Sequence, residues 1–163
     1  MLPMLPARLA VLAVFSALTA CGGSGSGGTA DVGPTGSPAQ AIQSFMQAAA
    51  DSNLARMAQL WGTDAGSAAE TGKPEGWEKR LIVIQAYLRG DSTQIVSNVP
   101  VTGNDNQRRV IVALYRPGCV KQIPATMTRG KGGRWLVFEV DVQSAGNPRH
   151  PCEGGDLLET LTR

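Results

Sequence analysis

The chain has 163 residues, 42% hydrophobic and 17% charged, with 15 Lys and Arg against 13 Asp and Glu and a formal net charge of +2. That length and composition suit one small globular domain. The even charge balance, with no clustered basic face, argues against a nucleic-acid binder, and no internal repeat is visible.

Arg8 is the only charged side chain before an apolar run from Leu9 to Leu18. The run is too short to span a bilayer as a permanent helix. Small residues then lead to Cys21, completing the three-part layout of an export signal. With Cys21 directly after Leu18-Thr19-Ala20, residues 1–20 resemble the signal peptide of bacterial lipoproteins. The resemblance implies that Cys21 becomes the lipidated first residue of the mature chain, so that a membrane is its first partner. It also implies a place in the cell envelope. Gly22 stands where inner-membrane lipoproteins of enteric bacteria carry Asp, which favours the outer membrane, facing the periplasm, if the organism has one. Residues 21–37 are the lipidated Cys and a stretch rich in Gly and Ser. Such a stretch cannot bury enough surface to offset its ordering entropy. It predicts a flexible tether reaching about 5–6 Å times the square root of its length.

The remaining residues, 38–163, form one domain. Ser37-Pro38 reads as an N-cap followed by Pro at the first helical position. Ala41, Ile42, Phe45, Met46 and Ala49 recur at helical spacing behind it. Any of Asp51, Ser52 and Asn53 can cap a second helix bearing Leu54, Met57, Leu60 and Trp61, with Gly62 as its stop. Thr63 to Gly76 reads as a polar loop. Pro74 opens a third helix with a stripe of Trp77, Leu81, Ile84 and Leu88, stopped by Gly90. The period then changes to two. Strands are predicted over 93–101, 108–116, 119–128 and 134–143, with turns at 103–106, 117–118 and 129–133. Pro124 places its strand at an edge or a bulge. The tail from Ser144 is irregular, with one helical turn over 156–161. Helices followed by an antiparallel meander give an α+β domain, with helices on one face of a curved sheet.

Cys119 and Cys152 are the two cysteines left in an exported domain, and they read as one disulfide. A bridge across a loop of that length stabilises by about 3–4 kcal/mol on the chain-entropy model.

Two short helices ending in Leu60-Trp61-Gly62-Thr63, a third ending in Tyr87-Leu88-Arg89-Gly90, and the closing strand Gly133-Arg134-Trp135-Leu136-Val137 resemble the nuclear transport factor 2-like superfamily. The resemblance spans about residues 38–142. It implies the cone shared with ketosteroid isomerase, in which a curled sheet leaves a pocket at its wide end, and it implies frequent dimerisation through the sheet.

Alternation in the last strand puts Leu136, Phe138, Val140 and Val142 toward the helices, and Trp135, Val137, Glu139 and Asp141 on the outer face. Glu139 and Asp141 then form a solvated edge away from any pocket, and no catalytic residue is assigned. His150, Cys152 and Glu153 are too close in sequence to enclose a metal without a distant fourth ligand, and a disulfide at Cys152 removes that reading. No metal or cofactor is expected. The basic hairpin of Arg129, Lys131 and Arg134 lacks the spacing of a phosphate loop and reads as a turn with solvated charges. Trp61, Trp77, Tyr87 and Phe138 are the candidate pocket-lining residues, with Trp77 and Tyr87 foremost because aromatics with a polar edge suit a half-wet cavity.

The strand 108–116 is apolar on both faces, with Val110, Val112 and Leu114 on one and Ile111, Ala113 and Tyr115 on the other. Such a sheet normally has both faces covered. A homodimer, or the disulfide-tied tail, is the expected cover. The reading favoured by these residues is a membrane-anchored, non-enzymatic binding domain for a small apolar ligand or an envelope protein. The alternatives are a pocket enzyme of isomerase, dehydratase or hydrolase type, and a structural part of an envelope assembly.

Overall fold

The computed structural model describes residues 36–153. The signal segment, Cys21, the tether up to residue 35 and the expected helical turn at 156–161 lie outside the described residues. Among the described residues, no helix is long and apolar enough to cross a membrane.

Helix α1 (Pro38–Ala50) starts as its sequence dictates: the Ser37 side chain accepts from Gln40 N at 3.2 Å, with Pro38 in the first turn. Its stripe, including Ile42, Phe45 and Met46, is buried. Helix α2 (Leu54–Leu60) is capped by Asn53, whose Oδ1 accepts from Arg56 N at 2.9 Å. Gly62 does not stop this helix, contrary to expectation. Trp61 is already extended, and Gly62 opens a two-residue strand, β1 (Gly62–Thr63), paired with β2 (Gly66–Ser67). Gly62 is there for closeness, because a Cβ would sit 2.3 Å from Gly66 O.

The expected loop over 63–76 therefore holds this hairpin and a helical turn, α3 (Ala68–Thr71). In α3, Ser67 and Glu70 form a reciprocal capping box. So short a helix carries no apolar stripe to betray it. Helix α4 (Trp77–Leu88) begins three residues after Pro74, not at it, because Gly76 is left-handed at φ 70° and interrupts the helical path.

The main sheet is an antiparallel meander in the order β3 (Ser92–Val101), β4 (Asn104–Arg116), β5 (Cys119–Arg129) and β6 (Trp135–Val140). The first turn is tighter than predicted: Val101 pairs with Asn104, and Gly103 at φ 77° makes the reversal, so residues 104–106 already belong to β4. Pro124 lies on an inner strand, yet its missing N–H harms no ladder. Its carbonyl accepts from Asp141 N just beyond the end of β6, so its β6-facing side is locally an edge.

The last strand departs most from prediction. Thr126 pairs with Glu139 and Met127 with Val137, leaving Phe138 as the extra residue of a bulge. Two residues against one reset the alternation. Val137 and Val140 both belong with the core, and Trp135 packs against it, whereas Phe138 is 41% exposed. Of the expected inward set of Leu136, Phe138, Val140 and Val142, Leu136 is buried and Val140 packs on the core. Phe138 is corrected to the exposed side, and Trp135 and Val137, expected on the outer face, are corrected to the core side. β6 also ends at Val140. Asp141 is exposed, as expected, but lies beyond the strand and caps a 3₁₀ turn (Gln143–Ala145), accepting from Gln143 N, Ser144 N and Ser144 Oγ, the last at 2.7 Å.

The core is formed by α1, α2 and α4 against one face of the sheet, with Phe45, Met57 and Leu81 meeting Val110, Val112, Leu114, Ile123 and Met127. The fold is α+β, with helices on one face of a curved antiparallel sheet. Cys119 and Cys152 are bonded, with Cα atoms 5.6 Å apart. The described part of the tail they secure, residues 144–153, lies elsewhere than on the outer face. Ala145 is buried in the core beside the helices, and Pro148 and Pro151 lie near Arg116 and the end of α4. On the outer face, Val99 remains 49% exposed and Tyr115 37%.

Candidate functional site

A cleft of about 450 Å³ runs between the first half of α4 and the edge strand β6, a size that suits a small organic molecule. From α4 come Lys79, Arg80, Val83 and Ile84. From the other wall come Phe138, Glu139, Val140 and Val142, and Trp61 joins them from the end of α2. Local structure explains each placement. Positions 79 and 83, like 80 and 84, are one turn apart and share a face beside the buried stripe. The bulge swings Phe138 out of the ladder and keeps Val140 facing in. Trp61 is held by a parallel bridge of its backbone to Val137.

The walls are mostly apolar, and three charges line them. Among the described residues, Lys79, Arg80 and Glu139 make no ion pair. Trp61 is 6% exposed, and its indole Nε1 is buried with no hydrogen-bond partner. Buried polar groups are rarely left so in native proteins.

Of the four aromatic candidates, the structure brings Trp61 and Phe138 together in the cleft. Trp77 and Tyr87 do not line it. Both pack partly against the core, and the Tyr87 carbonyl accepts from Arg116. Glu139, expected to point away from any pocket, pairs with Thr126 on the outer face yet borders this cleft, which reaches the edge of β6. The sequence reading missed Lys79, Arg80 and Val83. A signal was present: Ile82 and Val83 interrupt the polar face of α4 and are 51% and 50% exposed.

The other sequence candidates serve structure. The expected solvated charges of the basic hairpin are partly engaged: Arg134 NH2 meets the Glu70 carboxylate at 2.5 and 2.6 Å, and Arg129 lies 5.9 Å from the Trp135 ring centroid. His150 Nδ1 is 3.3 Å from Glu153 Oε1, both exposed, and Cys152 is occupied by its disulfide.

Arg116 is a half-buried clasp. It donates to Arg89 O at 2.7 Å, to Ala145 O at 2.6 Å and to Tyr87 O. A cation there satisfies carbonyls left open at the end of α4 and holds the tail against them.

No family model matches this chain, and no curated protein is similar to it. Among solved structures, it is similar to an NTF-2-like protein of unknown function from Shewanella oneidensis MR-1, with 14% identity and a TM-score of 0.41, over 63% of this chain and 92% of that one.

Proposed function

We propose that the chain is a membrane-tethered binding module of the cell envelope, with a nuclear transport factor 2-like domain that holds a small apolar molecule without transforming it. The observation that carries this reading is the cleft between α4 and β6. Its apolar walls of Trp61, Val83, Ile84, Phe138, Val140 and Val142 shed water onto an apolar guest, while its few polar groups fix orientation. Lipidation at Cys21 supplies the tether, and the chain works where export delivers it. Val99 and Tyr115, exposed on the outer face of the sheet, favour a second copy as the cover of that face.

Comparing the intact mass of the protein taken from its membrane under native and denaturing conditions tests both parts. A small molecule retained only by the folded form is expected, and substituting Val83→Asn in the cleft should abolish the retention. Val83 is half exposed, so this change leaves the core intact. A folded protein that carries nothing, whether one copy or two, overturns the ligand reading.

A further inference from the structure

We infer that the occupant of the cleft is a single-chain anionic amphiphile, with its apolar body along the walls and one carboxylate against Lys79 and Arg80. This deepens the binding reading and rests on it. Lys79 and Arg80 are consecutive on α4 and border Val83 and Ile84 of the same wall, so cationic and apolar surface are continuous along one helix edge. Their long stems can lie on that apolar surface while the charged ends reach the opening.

Cations that hold this fold together have partners: Arg134 has Glu70, Arg116 has three carbonyls and Arg108 has Asn98. Among the described residues, Lys79 and Arg80 have none. Two adjacent unpaired cations on an apolar cleft form an acceptor for negative charge. A carboxylate there gains charge-assisted hydrogen bonds, moderated by solvent because both cations are exposed.

One further group narrows the class. Glu139 is the one carboxylate on the lining. Set against two cations it leaves a balance of a single positive charge, which fits one anionic head and disfavours a dianion. A cationic amphiphile would meet two like charges and one opposite.

The test uses the full-length chain and a neutral naphthylamine dye whose fluorescence rises in apolar surroundings. The dye is displaced by octanoate, octanol and octyltrimethylammonium, equal in chain length and differing in head charge. Octanoate should compete about two- to five-fold better than octanol, the range of an exposed ion pair, and octyltrimethylammonium worse than either. Lys79→Gln with Arg80→Gln should bring octanoate down to octanol while leaving octanol unchanged, a result that a merely structural role would not give. Glu139→Gln should tighten octanoate. If the dye enters and is lost in Val83→Asn, yet octanoate and octanol compete equally, the anionic assignment fails and the apolar cleft stands. If the dye does not enter, or binds Val83→Asn as well as the natural chain, the binding reading itself fails, and this inference with it.

Discussion

Glu70 accepts from Ser67 N at 3.1 Å and from Arg134 NH2 at 2.5 Å, so one carboxylate closes a helix cap and ties α3 to the strand hairpin after β5. The Arg134 hydrogen bond, then that from the Ser67 backbone, hold its pKa below the ordinary value of 4.5. A carboxylate that is more acidic folded than unfolded adds stability above its unfolded pKa, and that stability is lost as the pH falls through the folded one. Its side chain is 49% exposed, so solvent screens the pair and the contribution should be only about 0.5–1 kcal/mol. Urea unfolding of the natural chain and Glu70→Gln should therefore differ by that amount near neutral pH and converge as the pH falls below the ordinary carboxylate range. A difference that persists unchanged in acid would mean the cap acts through shape alone. Asp141 is also depressed, first by the Ser144 hydroxyl, so both chains will keep some acid sensitivity of their own.

At the scale of elements, the three main helices were legible because their apolar stripes repeat over several turns and α1 and α2 carry N-cap side chains. The meander was legible because β4 carries a run of β-branched and apolar residues from Val110 to Tyr115, β5 alternates in burial from Cys119 to Met127, and turn residues separate the strands. What the sequence hid were the places where one residue changes the phase. Gly62 looks like a helix stop but serves a close backbone approach, Gly76 delays α4 past Pro74, and the extra residue Phe138 shifts the alternation of β6 so that Val137 joins the core. After the bulge the expected facing returns: Val140 pairs with Ala125 and Glu139 with Thr126, and both border the cleft from the sheet edge. Trp61 and Phe138 were foreseen as lining residues, while Glu139 was assigned away from any pocket. Arg116 was equally hidden, since nothing local marks a cation at a strand end as a helix clasp. Replacing it by Met keeps the stem and leaves the carbonyls of Tyr87, Arg89 and Ala145 without that donor. An unsatisfied buried group costs about 1–3 kcal/mol. With part of the site open to water, Arg116→Met should destabilise by about 2–3 kcal/mol in total. Proteolysis should then cut first within 144–151, where the tail loses its hold. A variant as stable as the natural chain would show that water replaces the guanidinium at no cost.

Across the whole molecule, the two halves of α4 divide the work. Its first half lines the cleft through Lys79, Arg80, Val83 and Ile84, and its second half docks the tail near Ala86, Arg89 and Arg116. The disulfide belongs to the second. It joins the first residue of β5 to the tail, closing a segment with a sequence separation of 33 that contains β5, β6 and the Asp141-capped turn. Cross-linking such a segment removes freedom mainly from the unfolded chain, a gain of about 3–4 kcal/mol on the chain-entropy model. The native positions of Trp61, Phe138 and Val140 depend instead on the core and on the bridge between Trp61 and Val137. Removing the disulfide as Cys119→Ala with Cys152→Ala should therefore lower the unfolding free energy by about 3 kcal/mol or more, while dye and octanoate affinities in the folded protein stay within about two-fold, since nothing lining the cleft has moved. A parallel loss of binding and stability would mean instead that the tail holds α4 against β6 from end to end, and that the cleft and the stapled tail are one mechanical unit.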